Sequence, residues 1–378
     1  MSSSCPEGET FVQRAGLWRR ERLLIIGGVA LTEQILTAIE AQPGRRPAVV
    51  GVVDDLVPDV APSAKYPLLG PVARLSEIVE ETRPDRVLFG LGERRSRTPI
   101  RALVESCIAR GIVVEHAADF CERLTGKLAI ESLSPTGIVF SRRFGPSLFD
   151  CLFARALSLA AAAAGLVLFA PLMAIIAVAV KLESPGPVLF VQSRIGARGR
   201  PFKLMKFRTM RPAARRNSEW ECDNRDRVTR VGRWLRAFRL DELPQFVNVL
   251  RGEMNLVGPR PHPESNFELF TLVSRNVNEI TGSAIGYYTL RTMVRPGLTG
   301  WAQVRYRYAN NLEEEIEKLK YDLYYVKYAS ATLDLRILFH TIKVVLFGHT
   351  ATASPAAELV ASPKPLGLAP DVTRAHAA

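Results

Sequence analysis

The chain has 378 residues, of which 47% are hydrophobic, and its formal net charge is +12. This length is enough for two or three domains, and a basic excess suits phosphate-bearing partners such as nucleic acid, anionic lipid or nucleotides. Aromatic residues make up only 8%, and no basic stretch is interleaved with stacking aromatics, so a nucleic-acid partner is disfavoured. The scattered cysteines and histidines indicate free thiols in a reducing compartment and disfavour a zinc site.

The first third of the chain predicts a Rossmann-like domain. Residues 1–20 contain no apolar core and are interpreted as a disordered cytoplasmic tail rather than a signal peptide. Residues 21–125 alternate apolar runs such as "RLLIIG" and "AVVGVVDD" with segments of helical spacing, which predicts a parallel sheet with crossover helices. The turn Gly27-Gly28-Val29 departs from the glycine fingerprint of dinucleotide sites, so a nucleotide-free module is favoured over an NAD-binding one.

An apolar segment opens the second half of the chain. Residues 126–147 contain several turn-forming residues and predict a linker, and residues 148–350 predict a second domain. The stretch from Ala156 to Val180 carries no charge. As a helix it would be about 37 Å long, enough to cross a bilayer. A buried helix of a soluble core is the alternative, but such helices rarely run so long without a charge.

Both flanks of this apolar segment are positively charged, which bears on its topology. Lysine and arginine mark the cytoplasmic side of a membrane segment, and a simple span would place one basic flank outside. Pro171 lies near the middle and interrupts helical hydrogen bonding. We therefore predict a re-entrant hairpin over residues 150–183, rather than a span, with both soluble domains on the cytoplasmic face. Ser184 and Pro185 begin a stiff turn that leaves the membrane.

Basic and apolar residues alternate after this turn, in "PFKLMKFRTM". Lys203, Lys206 and Arg208 are predicted to face phosphate, and a solvated basic loop beside anionic lipid is the alternative. Near the end of the domain, the segment "LDLRILFHTIKVVLF" fits a helix in the membrane interface and a core-facing helix equally well. Residues 351–378 are rich in Ala and Pro and predict disorder.

The candidate reaction centre is the adjacent acid pair Asp241-Glu242. Four arginines crowd around the pair in sequence: Arg236, Arg239, Arg251 and Arg260. A helix N-cap beside an ion-paired surface acid would explain the pair without chemistry. Alternatively, one carboxylate attacks phosphorus, its neighbour holds Mg²⁺, and arginines clamp the phosphates. The location between an apolar membrane segment and a Gly-Pro-Arg-Pro turn favours this second interpretation.

Residues from about 148 to 348 resemble the catalytic domain of the bacterial sugar transferase family, the monotopic polyprenyl-phosphate phosphoglycosyl transferases. The matching segments, in family order, are the apolar helix with Pro171, "SPGPVLFVQSRIG", "FKLMKFRTM", "TRVGRWLRAFRLDELPQFVNVLRGEMNLVGPRP", "VRPGLTGWAQV" and "YDLYYVKY". Residues 21–125 resemble the Rossmann-like domain of longer members. The implied α/β fold is a parallel-sheet domain followed by a mostly helical catalytic domain with a re-entrant membrane helix hairpin.

The resemblance implies transfer of sugar-1-phosphate from a UDP-sugar to undecaprenyl phosphate, with release of UMP, at the bacterial inner membrane. Asp241 matches the family's nucleophile, and Glu242, beside it, is expected to hold Mg²⁺ together with Asp241. Phosphate contacts or nearby roles are implied for Arg236, Arg260, Lys203, Lys206, Arg208, Arg295 and Gln303. The product would enter exopolysaccharide or other lipid-linked glycan synthesis, with downstream glycosyltransferases as partners.

The sequence departs from the family pattern in several places. Longer members usually begin with several transmembrane helices, and none is predicted here. Ala170 replaces a serine often found before the helix-breaking proline, and residues 265–290 do not match the expected pattern, which could alter the choice of sugar. Two other functions stay open: a membrane-anchored nucleotide-sensing regulator with a degenerate transferase domain, and a basic nucleic-acid binder. The intact Asp-Glu pair disfavours the regulator.

Overall fold

The structure is a computed structural model. It describes residues 20–27, 29–41, 47–54, 66–90, 107–128, 130, 144–211, 226–281, 287–306 and 312–347. The tails predicted at 1–20 and 351–378 lie outside these residues, apart from residue 20, and so does most of the linker predicted at 126–147.

The N-terminal domain contains a parallel sheet of five strands in the order β3-β2-β1-β4-β5. The strands are β1 (Arg22–Ile26), β2 (Ala48–Val53), β3 (Leu68–Gly70), β4 (Arg86–Phe89) and β5 (Val113–His116). The described helices are α1 (Val29–Ala41), α2 (Leu75–Thr82) and α3 (Ala117–Thr125). The predicted Rossmann-like sheet is confirmed, and only the three-residue strand β3 was not predicted.

Alternation along β1 explains why this sheet is buried on both faces. Leu24 and Ile26 pack into one hydrophobic cluster with α2, and Leu23 and Ile25 pack into another with α1 and α3. Successive side chains of a strand point to opposite faces, so an uninterrupted apolar run suits a strand with helices on both sides.

The C-terminal domain is mostly helical, as predicted. Its helices are α4 (Leu148–Glu183), α5 (Arg230–Ala237), α6 (Gln245–Leu250), α7 (Glu264–Thr281), α8 (Trp301–Arg305), α9 (Leu312–Tyr328) and α10 (Ala331–Phe347). An antiparallel hairpin joins β6 (Leu189–Ile195) to β7 (Pro201–Phe207), and a short parallel pair joins β8 (Asn255–Val257) to β9 (Gly297–Thr299).

Helix α4 contains the predicted membrane segment and has 36 residues. It begins with a capping box between Ser147 and Asp150. In the part of the chain that the structure describes, it is the one helix long and apolar enough to cross a membrane by length and composition, and only 17% of its most apolar window is buried. The buried residues, among them Ser158, Ala162 and Ile176, recur at helical spacing and form one stripe against the domain.

Both ends of α4 are attached to the same domain. Near its start, Arg155 Nη1 donates to the carbonyl oxygens of Val249, at 2.8 Å, and Met254, at 3.1 Å. At its end, the Glu183 carboxylate accepts from the main-chain nitrogen of Arg230 at 2.6 Å. Helix continues on both sides of Pro171, which lies inside α4. A straight helix of this length would extend roughly 54 Å, so the shared attachment is compatible with the predicted hairpin.

The two domains dock through α3 and α9. Lys327 Nζ lies 2.8 Å from Asp119 Oδ1 and 2.7 Å from Glu122 Oε2, and Glu122 is only 1% exposed. Close by, Trp301 Nε1 donates to the carbonyl of Gly126 at 2.8 Å. A buried acid needs a charged partner to offset its desolvation, so the ion pair between Lys327 and Glu122 ties the Rossmann-like domain to the C-terminal domain.

Candidate active site

A tight turn between α5 and α6 presents the acid pair. Residues Leu240–Glu242 form one turn of 3₁₀ helix, preceded by Arg239 in the left-handed region at φ 54°. Backbone strain of this kind persists only where the surroundings impose it, and it concentrates at functional sites. Pro244 follows as the N-cap residue of α6, where its missing N–H costs no helical hydrogen bond. The side chains of Asp241 and Glu242 are both buried.

Glu242 is held by two cations from different elements. Its Oε1 lies 3.0 Å from Lys206 Nζ on β7 and 3.0 Å from Arg260 Nη2, and its Oε2 lies 4.0 Å from Arg239 Nη1. Burial alone would disfavour the charged carboxylate, but Lys206 and Arg260 outweigh it and hold the pKa of Glu242 well below its usual range. Glu242 is therefore ionised and fixed in place.

Asp241 has a different environment, although it is the next residue. Within the described residues, its carboxylate has no hydrogen bond and no ion pair shorter than 4.0 Å. Burial, and then the negative charge of Glu242, raise the pKa of Asp241, while Lys206, Arg260 and Arg236 act in the opposite direction. The two neighbouring acids thus differ: Glu242 is ion-paired and charged, whereas Asp241 makes no such contact and its charge is disfavoured. Such a difference in environment allows two adjacent acids to take different roles.

Three of the predicted cationic side chains surround this pair. Besides Lys206 and Arg260, Arg236 acts on Asp241 through its charge, and its Nε donates to Thr209 Oγ1 at 3.0 Å. Burial lowers the pKa of Lys206, against the charge of Glu242. Positive charge therefore surrounds the acid pair, and the Asp241 carboxylate has no ion pair with the described residues, which suits a substrate with several phosphate oxygens.

Arg208 has a structural task instead of the predicted phosphate contact. Its side chain is 6% exposed, and Nη1 donates to the carbonyl of Pro185 at 2.7 Å. Nη2 donates to the carbonyl and the hydroxyl of Ser184 at 2.7 Å and 3.0 Å. Arg208 thus ties down the turn that follows α4, and Ser184 and Pro185 are its partners there.

The other predicted contacts are not brought to the acid pair by the described interactions. Lys203 is exposed and, by strand alternation, lies on the opposite face of β7 from Lys206. Arg295 donates through Nε to the carbonyl of Gly252 at 3.2 Å and lines a separate cavity of about 530 Å³. Gln303 is buried in α8, where its Nε2 donates to the carbonyl of Leu298 at 3.4 Å.

The acid pair fits a metal that is shared with substrate. No cluster of three or more His, Cys, Asp or Glu side chains able to hold a metal occurs among the residues that the structure describes. Mg²⁺ usually keeps several waters and binds through one or two carboxylates plus substrate phosphates. Asp241 and Glu242 offer that smaller donor set, with Glu242 Oε2 less engaged than Oε1.

The sequence interpretation missed Arg291, which supports the site from behind. Its Nη2 donates to the main-chain carbonyl of Arg260 at 3.0 Å and lies 2.6 Å from Asp322 Oδ2. The only signal in the sequence was its location shortly before "VRPG", and nothing there indicates which carbonyl it would reach.

The model of the family described as "Bacterial sugar transferase" matches residues 149–348, more than half of the chain. The chain belongs to the bacterial sugar transferase family. The Asp241-Glu242 pair and its cations lie inside the matched region. A model described as "CoA-binding domain" matches residues 10–115, which include most of the parallel-sheet domain of this sugar transferase.

Relatives with names extend this comparison. The chain is 38% identical over 286 residues to the UDP-N-acetylgalactosamine-undecaprenyl-phosphate N-acetylgalactosaminephosphotransferase of Aeromonas hydrophila, covering 75% of this chain and 62% of the relative. It is 32% identical over 355 residues to the undecaprenyl-phosphate glucose phosphotransferase of Komagataeibacter xylinus, covering 87% of this chain and 60% of the relative. It is 35% identical over 204 residues to the exopolysaccharide production protein PSS of Rhizobium leguminosarum bv. phaseoli, covering 51% and 94%. The chain thus spans about three fifths of the length of the first two relatives.

Proposed function

We propose that this sugar transferase moves sugar-1-phosphate from a UDP-sugar to undecaprenyl phosphate. The observation that carries the proposal is the division of roles between two adjacent acids, with Glu242 tied to Lys206 and Arg260 while Asp241 is untied. The Aeromonas and Komagataeibacter relatives, whose names state undecaprenyl-phosphate sugar phosphotransfer, support it.

In the first step, a carboxylate oxygen of Asp241 attacks the phosphorus that bears the sugar. A new oxygen–phosphorus bond forms, and the bond from that phosphorus to the oxygen bridging it to the nucleotide breaks. UMP leaves with the electron pair, and the sugar phosphate stays on Asp241 as an acyl phosphate. The charges of Lys206, Arg260 and Arg236 lower the barrier because the leaving phosphate gains negative charge as the bond breaks.

In the second step, a phosphate oxygen of undecaprenyl phosphate attacks the same phosphorus. The bond to Asp241 breaks, its carboxylate is restored, and the product is an undecaprenyl diphosphate sugar. No net proton is consumed in either step. A Mg²⁺ ion bound by Glu242 and Asp241 would neutralise part of the negative charge of the diphosphate.

We place the reaction at the cytoplasmic face of the bacterial inner membrane. The apolar outer face of α4 and four exposed apolar residues on α10, Leu335, Phe339, Ile342 and Val345, support contact with lipid. Attachment of both α4 ends to one domain supports a re-entrant hairpin, because one domain lies on one side of a membrane. Lipid-linked acceptor and soluble donor would then meet at the same surface.

The product would start an exopolysaccharide or another lipid-linked glycan. The name of the Rhizobium relative supports this route. Downstream glycosyltransferases would be the consumers of the product, because an undecaprenyl diphosphate sugar is a substrate for further sugar addition.

The test measures UMP release by the purified full chain, with undecaprenyl phosphate and a panel of UDP-sugars. Release with at least one donor is expected, with loss on EDTA treatment and recovery on Mg²⁺ addition. With donor alone, intact mass should increase by one sugar phosphate in the unaltered chain and stay unchanged in Asp241→Asn. Glu264→Gln, at an exposed acid in α7, is the matched control and should behave as the unaltered chain. Full turnover by Asp241→Asn would refute the nucleophile assignment, and no release with any donor would refute the transfer and favour a regulatory role.

A further inference from the structure

Four consecutive carbonyl groups in the segment 259–262 are each held by a hydrogen bond. This segment contains Arg260, the residue that contacts Glu242. The donors to the carbonyls of Pro259, Arg260, Pro261 and His262 are, in that order, the main-chain nitrogen of Gly297, Arg291 Nη2, Arg194 Nη1 and the main-chain nitrogen of Ile195, each at 3.0 Å. The backbone on both sides of Arg260 is therefore fixed over four residues.

Two of these four donors are arginine side chains, and the prolines explain why. Pro259 and Pro261 have no main-chain N–H, so the segment cannot form the ladder of a regular strand pair. Its carbonyls still need donors once they are buried. Side chains of Arg194 and Arg291 reach in from β6 and from the turn Tyr288–Met293 and meet that need.

Arg291 is itself held rigidly. Its guanidinium is 6% exposed and lies 2.6 Å from Asp322 Oδ2 on α9, whose side chain is 3% exposed. Nη1 donates to the hydroxyl of Tyr288 at 2.9 Å, and Nη2 serves both Asp322 and the Arg260 carbonyl. A planar guanidinium keeps several donors in fixed relative positions, which an ammonium group does not.

We propose that Arg291 is a positioning residue for sugar-phosphate transfer. By holding the main-chain carbonyl of Arg260, Arg291 fixes the backbone from which the Arg260 side chain extends. The Arg260 guanidinium therefore stays in contact with Glu242. The inference rests on the proposed function of the Asp241-Glu242 pair. Arg291 does not touch the acids, and it acts through Arg260. The effect is large because a displacement of about 1 Å at a reacting site costs on the order of 100-fold in rate.

The test compares Arg291→Lys with Arg86→Lys in the full chain. Lysine keeps the charge beside Asp322 but cannot reproduce the fixed fork of donors. Arg86 is the matched control because it is also poorly exposed, at 13%, and bridges two acids, Glu21 and Glu115, in the other domain. We expect Arg291→Lys to lower kcat/KM for UMP release by about 10- to 100-fold. Arg86→Lys should change it by less than about twofold, since distant sites act independently.

A double substitution separates positioning from a general loss of structure. In an Arg260→Lys background, adding Arg291→Lys should cost less than about threefold, because residues that act through each other are non-additive. An equal fold-loss in both backgrounds would overturn the proposal. If Arg291→Lys does not fold, Asp322→Asn takes its place in the same comparison. This substitution removes the charged partner of Arg291 and keeps Arg291 itself.

A crystal structure of Arg291→Lys tests the role of Arg291 even if the proposed function is wrong. If the unaltered chain releases no UMP, the proposed function fails, and a crystal structure of Arg291→Lys then decides. The inference expects the Arg260–Glu242 contact of 3.0 Å to be lost in that variant. Retention of the contact would overturn it.

Discussion

The buried charges around Glu242 make its substitution costly. Its side chain is 10% exposed, that of Lys206 is 16% exposed, and the two charged groups are 3.0 Å apart. At an effective dielectric constant of about 20, a pair at this distance has a Coulomb energy of roughly 5 kcal/mol. Desolvation offsets most of that energy, but removal of one partner leaves the other charge buried and unpaired. Breaking such a pair costs about 3–5 kcal/mol.

Glu242→Gln keeps the size of the side chain and removes its charge. Lys206 then loses its partner, and Arg260 keeps some access to solvent at 28% exposure. We therefore expect a loss near the lower end of the range, about 3 kcal/mol, in the opening free energy of the surrounding turn and helix. Because the pKa of Glu242 is held low, this loss should be full above the pKa of an ordinary glutamate, about 4.3, and should shrink as the pH falls below it.

Hydrogen exchange with mass spectrometry measures this opening locally, without a two-state assumption for a two-domain chain. A loss of 3 kcal/mol corresponds to exchange about 100-fold faster in peptides that cover Leu240–Leu250. The Glu264→Gln control should leave those peptides unchanged. The double variant Glu242→Gln/Lys206→Met should recover part of the loss, since no unpaired charge is left at that position. Exchange less than about fivefold faster in Glu242→Gln would mean that the pair breaks even with desolvation, and the reasoning would be wrong.

Three further predictions follow from other buried charges. Asp241→Asn should abolish UMP release yet raise the melting temperature by a few degrees, because it removes a carboxylate whose charge is disfavoured first by burial and then by the charge of Glu242; a lower melting temperature would contradict this. Burial raises the pKa of Asp334 to about 6 from 3.8, so stability should fall as pH rises across that interval, by on the order of 2 kcal/mol. In Asp334→Asn, the melting temperature should not show this fall between pH 3.8 and about 6. Lys327→Met should remove the Lys327 charge from the buried Glu122, which keeps the hydrogen bond from the Tyr328 hydroxyl at 2.8 Å, and should speed hydrogen exchange in α3 by about 10- to 100-fold; unchanged exchange would show that the domains dock without this ion pair.

Elements with strong apolar periodicity could be predicted because short-range rules govern them. The apolar runs that became β1, β2 and β4, and the long helix α4, follow from local side-chain patterns. The short strands β3, β8 and β9 have three residues each, too few for any period to show. The spacing of "PIRALVESCIARG", residues 99–111, also predicts a helix, but most of this segment lies outside the described residues.

The sequence predicted the chemistry of the candidate site, but only some of the residues that form it. Adjacent acids with nearby arginines indicate phosphate chemistry, and Lys206, Arg236 and Arg260 do surround the pair. Arg208 lies two residues from Lys206 and has the same charge, yet it binds carbonyls after α4. Local sequence does not separate the two, because the direction of each side chain depends on what packs against β7.

The amino-acid sequence by itself determined the two-domain order, the long apolar helix and the location of an acid pair among cations. These depend on residue type and spacing along the chain. Only the tertiary structure decided that Glu242 is ion-paired while Asp241 makes no ion pair with the described residues, and that Arg291 holds the backbone of Arg260. Those differences arise from contacts between β7, the 259–262 segment and α9, and electrostatic energies depend on distance and burial in space rather than on separation in sequence.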